Sequence, residues 1–223
     1  MSFHRIKPIL FNTEMVRAIL DGRKTVTRRV IKGVSPHWDF VEIETDPCIG
    51  AEDKYGELYP KEVKGLYATF NGEFVPCDFP MIKAPYQIGD FLYVRETWCR
   101  GTDIWNCERT SPEYFYKEEF RDASAKDIFA KDIKWRPSIH MPKEAARIWL
   151  KVTDVRVERL QDMKTVDFQK EGMQANSIPD WWNIIEQKFR KLWDSTVLKQ
   201  DLDRYGWDAN PWVWVIEFER IER

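Results

Sequence analysis

Apolar residues recur at helical spacing at Met15, Val16, Ile19 and Leu20, directly behind Asn12-Thr13, either of which can cap a helix. Glu14 suits the positive first turn, and Asp21-Gly22 stops the helix because glycine tolerates the left-handed position after a last turn. From Thr25 to Ile31 the pattern becomes β-branched and alternating, which predicts a strand. Side chains two apart then share a face: Thr25, Thr27 and Arg29 on one, Lys24, Val26 and Arg28 on the other. A twist or bulge at the strand's start would bring Lys24 round towards Thr27.

The same reading predicts strands over Phe3 to Phe11, Phe91 to Trp98, Arg147 to Val157 and Pro211 to Ile221. In the second of these, Leu92, Val94, Glu96 and Trp98 fall on one side. In the third, the apolar phase switches between Val152 and Val155, which calls for a bend or bulge at Thr153-Asp154. A short helix is predicted from Thr165 to about Glu171, stopped by Gly172. A longer one is capped by Asp180 and carries the stripe Trp182, Ile185, Phe189, Leu192 and Trp193. Residues 33–86 are broken by six prolines and by Gly50, Gly56, Gly65 and Gly72 and read as short hairpins; residues 100–135 form a charged, aromatic excursion with a short helix around Ala123 to Ala130. No repeat is present, and strands distant in sequence must pair. The expected class is α+β: a small closed or partly closed β-barrel with flanking helices and long inserted arms.

Composition narrows the function classes. The formal charge of -2 excludes a bulk polycation, so any contact with nucleic acid must be local. Arg17, Arg23, Lys24, Arg28, Arg29 and Lys32 supply that locality against the single acid Asp21, although lysine and arginine also serve simply to guard an edge strand. Cys48, Cys77, Cys99 and Cys107 show no paired spacing, and His4, His37 and His140 lie far from them, so free thiols are expected and neither a metal nor a cofactor. No segment approaches the roughly 18 apolar residues a membrane span requires, and a cytoplasmic, monomeric protein without a membrane partner is expected. Eleven tryptophans invite base stacking, but Trp149, Trp212 and Trp214 sit in strand patterns that need them for packing.

The chemistry concentrates in Gly22-Arg23-Lys24-Thr25-Val26-Thr27-Arg28-Arg29. Such a segment is either an anion-binding edge or a nucleophile with its base. A threonine hydroxyl attacks only once a base removes its proton, and lysine can be that base only where burial or neighbouring cations weaken its hold on a proton.

Gly22, Lys24 and Arg29 resemble three positions of the G-x-K-x-x-E-x-R signature of the ASCH domain, a small barrel related in fold to PUA domains. Gly89-Asp90-Phe91-Leu92-Tyr93-Val94 is similar to that family's G-D-x-L-x-V strand, and Val213-Val215-Ile216-Glu217-Phe218 to its closing strand. Arg95-Glu96-Thr97-Trp98 and the stretch from Gly206 to Trp212 resemble an enlarged, phage-associated branch. The resemblance implies one domain over residues 1–223, with insertions at about 33–86, 100–135 and 174–208. Thr27 occupies the signature's usual glutamate position, an exchange shared with bacterial N4-acetylcytidine amidohydrolases of the family. It implies catalytic Lys24 and Thr27 and, on a short Glu-x-Met match, catalytic Glu171 as proton donor to the departing amine. Arg23, Thr25, Arg28, Arg29, Glu96 and Trp98 are the expected substrate-binding residues.

Two other functions fit the same sequence. A non-cleaving module would hold RNA or a nucleotide with its basic residues and stack a base on Trp98. A phage-associated interaction protein would instead expose an apolar patch on its inserted arms.

Overall fold

The computed structural model describes residues 5–35, 37–52, 55, 58–72, 80–101, 113–120, 133–174 and 181–222. In chain order its elements are β1 (Ile6–Leu10), α1 (Thr13–Leu20), β2 (Val26–Val30), β3 (Asp39–Thr45), β4 (Cys48–Glu52), β5 (Leu58–Glu62), β6 (Leu66–Asn71), β7 (Met81–Lys83), β8 (Phe91–Arg95), β9 (Trp98–Arg100), β10 (Tyr114–Tyr116), β11 (Trp149–Arg159), α2 (Thr165–Lys170), α3 (Trp181–Thr196), α4 (Leu202–Tyr205) and β12 (Trp212–Ile221). The class is mixed α+β, with strands outnumbering helices. The expected helix at Ala123 to Ala130, the Asp180 cap, Cys77, Cys107 and His4 lie outside the described residues.

The chain forms two compact units. The first comprises Met1–Thr25, Gly89–Lys151 and Phe218–Arg223, the second Val26–Ile88 and Val152–Glu217, so β11 and β12 contribute residues to both.

In the first unit β1 runs parallel to β8, from Ile6 opposite Phe91 to Leu10 opposite Arg95. The start of β11 pairs antiparallel with the other side of β8. Ile9, Leu92, Val94 and Leu150 are buried there. Asn12 caps α1 by accepting from the Met15 N–H at 2.8 Å, and Gly22 takes the left-handed conformation at φ 72°. The strand expected over Phe91 to Trp98 is interrupted after Arg95. Glu96, in the gap before β9, donates its backbone N–H to the buried Met141 Sδ at 3.2 Å instead of to a ladder.

In the second unit β11, β12 and β2 lie in that order, β12 antiparallel to β2 with Val213 opposite Val30 and Glu217 opposite Val26. α2 and α3 supply Phe168, Ile185, Phe189 and Trp193 to a core completed by Val26, Leu160, Val213 and Val215. Each fully buried side chain of this kind contributes about 1.5–3 kcal/mol. The described residues between 33 and 86 form a β3-β6-β7 sheet and a β4-β5 pair, in keeping with the expected hairpins.

The expected barrel is not formed. Among the described residues β1 has a ladder only with β8 and β2 only with β12, and the 33–86 arm pairs within itself. Closure requires edge strands that find each other, whereas alternation predicts only that a segment is a strand, not which neighbour it takes. Pro8 suits its edge position, since it has no N–H to offer a further strand.

Candidate functional site

Burial divides the predicted residues: Lys24, Thr27, Arg28, Glu96, Trp98 and Glu171 are buried, Arg23 and Arg29 are half-buried and Thr25 is exposed. Seven polar or charged residues are buried among those described: Lys24, Thr27, Arg28, Thr69, Asp90, Glu96 and Glu171. Five of the seven were nominated from sequence. A buried polar group is costly unless paired, so a concentration of this kind needs a structural or chemical reason.

The second unit brings four of the predicted residues together. Val26 anchors β2 in the core, and the strand then carries Thr27, Arg28 and Arg29 in turn. Thr27 and Arg29 share a face, as the alternation predicts: Arg29 Nη1 donates to Thr27 Oγ1 at 3.2 Å. Arg28 turns the other way, and its side chain is fully buried. Its Nη1 donates to Glu171 Oε1 at 3.3 Å, its Nη2 to Glu158 Oε2 at 3.1 Å, and Asp167 lies 3.9 Å from Nη2. Arg28 Nε has no hydrogen-bond partner among the described residues. Burial pulls the Arg29 guanidinium below the usual arginine value, against the raising influence of Tyr86 and Glu171.

Glu171 owes its place to helix termination. It is the C-cap of α2, with its N–H bonded to Asp167 O at 2.9 Å, and Gly172 follows at φ 91°. The start of α2 is fastened by the Asp167 carboxylate, which accepts from the Lys164 N–H at 2.8 Å. Asp167 and Glu171 are four residues apart and so face the same side of the helical turn. That spacing was the one signal from which Asp167 could have been found. Glu158 carried none, because it sits on β11, 130 positions from Arg28.

Around this cluster Arg156 binds Glu158 at 2.6 Å, Glu217 at 2.7 Å and Asp154 at 2.9 Å, and these three carboxylates hold its proton far above the usual range although burial acts against them. Removing one partner from a buried pair such as Arg28 and Glu171 typically costs about 3–5 kcal/mol, because the other charge is left uncompensated.

The other predicted residues lie in the first unit. Lys24 is 2% exposed; its backbone N–H bonds to Ala18 O at 2.9 Å and its Nζ stands 5.6 Å from the Phe11 ring centre. Arg23 pairs with Asp21 at 2.8 Å, and Thr25 is exposed, its carbonyl accepting from Phe218 N–H. Glu96 forms a two-pronged pair with Arg147, at 2.9 Å on each oxygen; burial nonetheless pushes its carboxyl up. Trp98 packs with Tyr116, Met141 and Ala145, with Arg136 5.3 Å from its ring centre.

No described helix is long and apolar enough to cross a membrane. Among the described residues no group of three or more histidine, cysteine, aspartate or glutamate side chains could hold a metal ion. No protein-family model, curated protein or solved structure matches this chain.

Proposed function

We propose that this protein is an ASCH-like amidohydrolase that removes an acyl group from the exocyclic amine of N4-acylated cytosine nucleosides, with Thr27, Lys24 and Glu171 as its catalytic residues. The observation that carries this reading is the burial of all three, at 1%, 2% and 6% exposure, in a chain whose described residues bury few polar groups. Lys24 belongs to the first unit; its role rests on the motif and on its burial, the circumstance in which a lysine can act as a base.

Lys24 takes the Thr27 proton as Oγ1 bonds to the acyl carbon, and the guanidinium of Arg29, already 3.2 Å from that hydroxyl, favours the developing oxyanion. The C–N bond then breaks, and the cytosine amine leaves with the proton from Lys24. Glu171 completes the cycle. We assign Glu171, whose Oε1 accepts from Arg28 Nη1 at 3.3 Å, to this second half of the reaction rather than to the departing amine. There it deprotonates the water that attacks the acyl-Thr27 ester and returns that proton to Thr27, which frees the carboxylic acid.

The non-cleaving RNA reading draws less support. Arg28 directs its charge at Glu158, Glu171 and Asp167, and the Trp98 ring is covered. The test is incubation of the purified protein with N4-acetylcytidine, with cytidine release followed chromatographically. Thr27→Val and Lys24→Met are expected to lower turnover by at least about 100-fold. Turnover unchanged in either variant rejects the assigned roles, and no turnover of any N4-acylcytidine by the unaltered protein rejects the function.

A further inference from the structure

From the placement of its guanidinium between two carboxylates, we infer that Arg28 is a positioning residue: it does not meet substrate but fixes Glu171 for the second, hydrolytic half of the reaction. The inference rests on the proposed hydrolase and departs from the sequence expectation that Arg28 binds substrate.

Three observations carry it. The Arg28 side chain is fully buried, and among the described residues its two terminal nitrogens go to different acids: Nη1 to Glu171 and Nη2 to Glu158. The elements they join are β2 and the end of α2, on one side, and β2 and β11 on the other. Glu158 is itself held, since Arg156 binds it at 2.6 Å while also binding Glu217 on β12 at 2.7 Å. The guanidinium therefore stands on a fixed carboxylate and presents its other nitrogen to Glu171. Glu171 ends a six-residue helix, directly before Gly172 at φ 91°, and its buried carboxylate meets Arg28 there. A planar fork bridges two acids in fixed directions, whereas a single ammonium does not.

Arg28→Lys keeps the charge and removes the fork. With N4-acetylcytidine it is expected to lower kcat on the order of 100-fold and leave KM within about threefold. Because acylation by Thr27 and Lys24 is spared, an acyl-Thr27 adduct accumulates in the variant and is visible by intact mass. Glu158→Gln, which removes the outer support, gives the same adduct with a smaller loss of kcat. Arg28→Lys combined with Glu171→Gln is no slower than Glu171→Gln alone, because both changes disable one function.

An independent arm reads position without activity. Three-bond couplings of the Glu171 side chain report a single rotamer in the unaltered protein and an averaged one in Arg28→Lys, with backbone resonances elsewhere unchanged. A raised KM at constant kcat, or a Glu171 rotamer that stays fixed in Arg28→Lys, overturns the inference. If the unaltered protein turns over no N4-acylcytidine, the hydrolase reading fails, and the rotamer measurement still decides whether Arg28 orients Glu171.

Discussion

Tyr116 shows what burial does to one titrating group. Its phenol is pushed up to about 12, first by burial and then by the negative charge of Glu96, with Arg147 opposing. The neutral form is also held by a 2.6 Å hydrogen bond from the hydroxyl to Ala145 O. In the unfolded chain the same phenol loses its proton near pH 10. Below that pH the unfolded and folded chains both keep the proton and the contribution is complete. Between about 10 and 12 only the folded chain keeps it, so stability falls as pH rises and the contribution is gone above about 12. Phenolate absorbance should therefore show a late step near 12, and Tyr116→Phe should remove that step and flatten the loss of stability across this window. A full set of tyrosines titrating near 10 would contradict it. Residue types were legible in part: Lys24 and Thr27 stood out for their chemistry, Glu171 only through the family resemblance. Their partners were not, because Arg28 reaches acids 130 and 143 positions away, and side-chain type carries no address.

Helices and strands followed local pattern closely where local physics decides them. α1 begins and ends at the residues whose side chains or backbone favour those places, Asn12 and Gly22, and α2 stops before Gly172. The apolar phase switch in β11 is present as burial of Leu150 and Val152 followed by Val155. The break after Arg95 was missed because Glu96 leaves the ladder for a long-range contact. Close packing at the end of α4 yields a prediction at this scale. Trp193 Nε1 donates to Tyr205 O and the Trp207 N–H to Asp194 Oδ1, each at 2.8 Å, so the turn at Gly206 is pinned on both sides. A Cβ at Gly206 would stand 2.5 Å from Leu202 O, a backbone atom that cannot swing away. Gly206→Ala is expected to destabilise by about 1–3 kcal/mol, read as a lower denaturant midpoint. An unchanged midpoint would show that this turn shifts freely.

At the scale of the whole molecule, charge separates a nucleoside substrate from a polymer. The chain is formally -2, and its described arginines spend much of their charge on carboxylates. Turnover of a neutral N4-acylated nucleoside should change by less than about twofold between roughly 50 and 200 mM salt, whereas a protein held by several phosphates loses orders of magnitude in affinity over that range. A steep fall would move the substrate from nucleoside to RNA. By itself the sequence determined most of the longer elements, the α+β class, the hairpin arm and the residues with reactive side chains. These follow from period, capping and functional group, which act within a few residues. Only the tertiary structure decided that the sheets stay open, that the chain gathers into two units, and that Arg28 turns away to clamp Glu158 and Glu171. Strand pairing and buried ion pairs are settled by competition among distant segments for the same edges and charges, and a linear pattern does not rank those competitors.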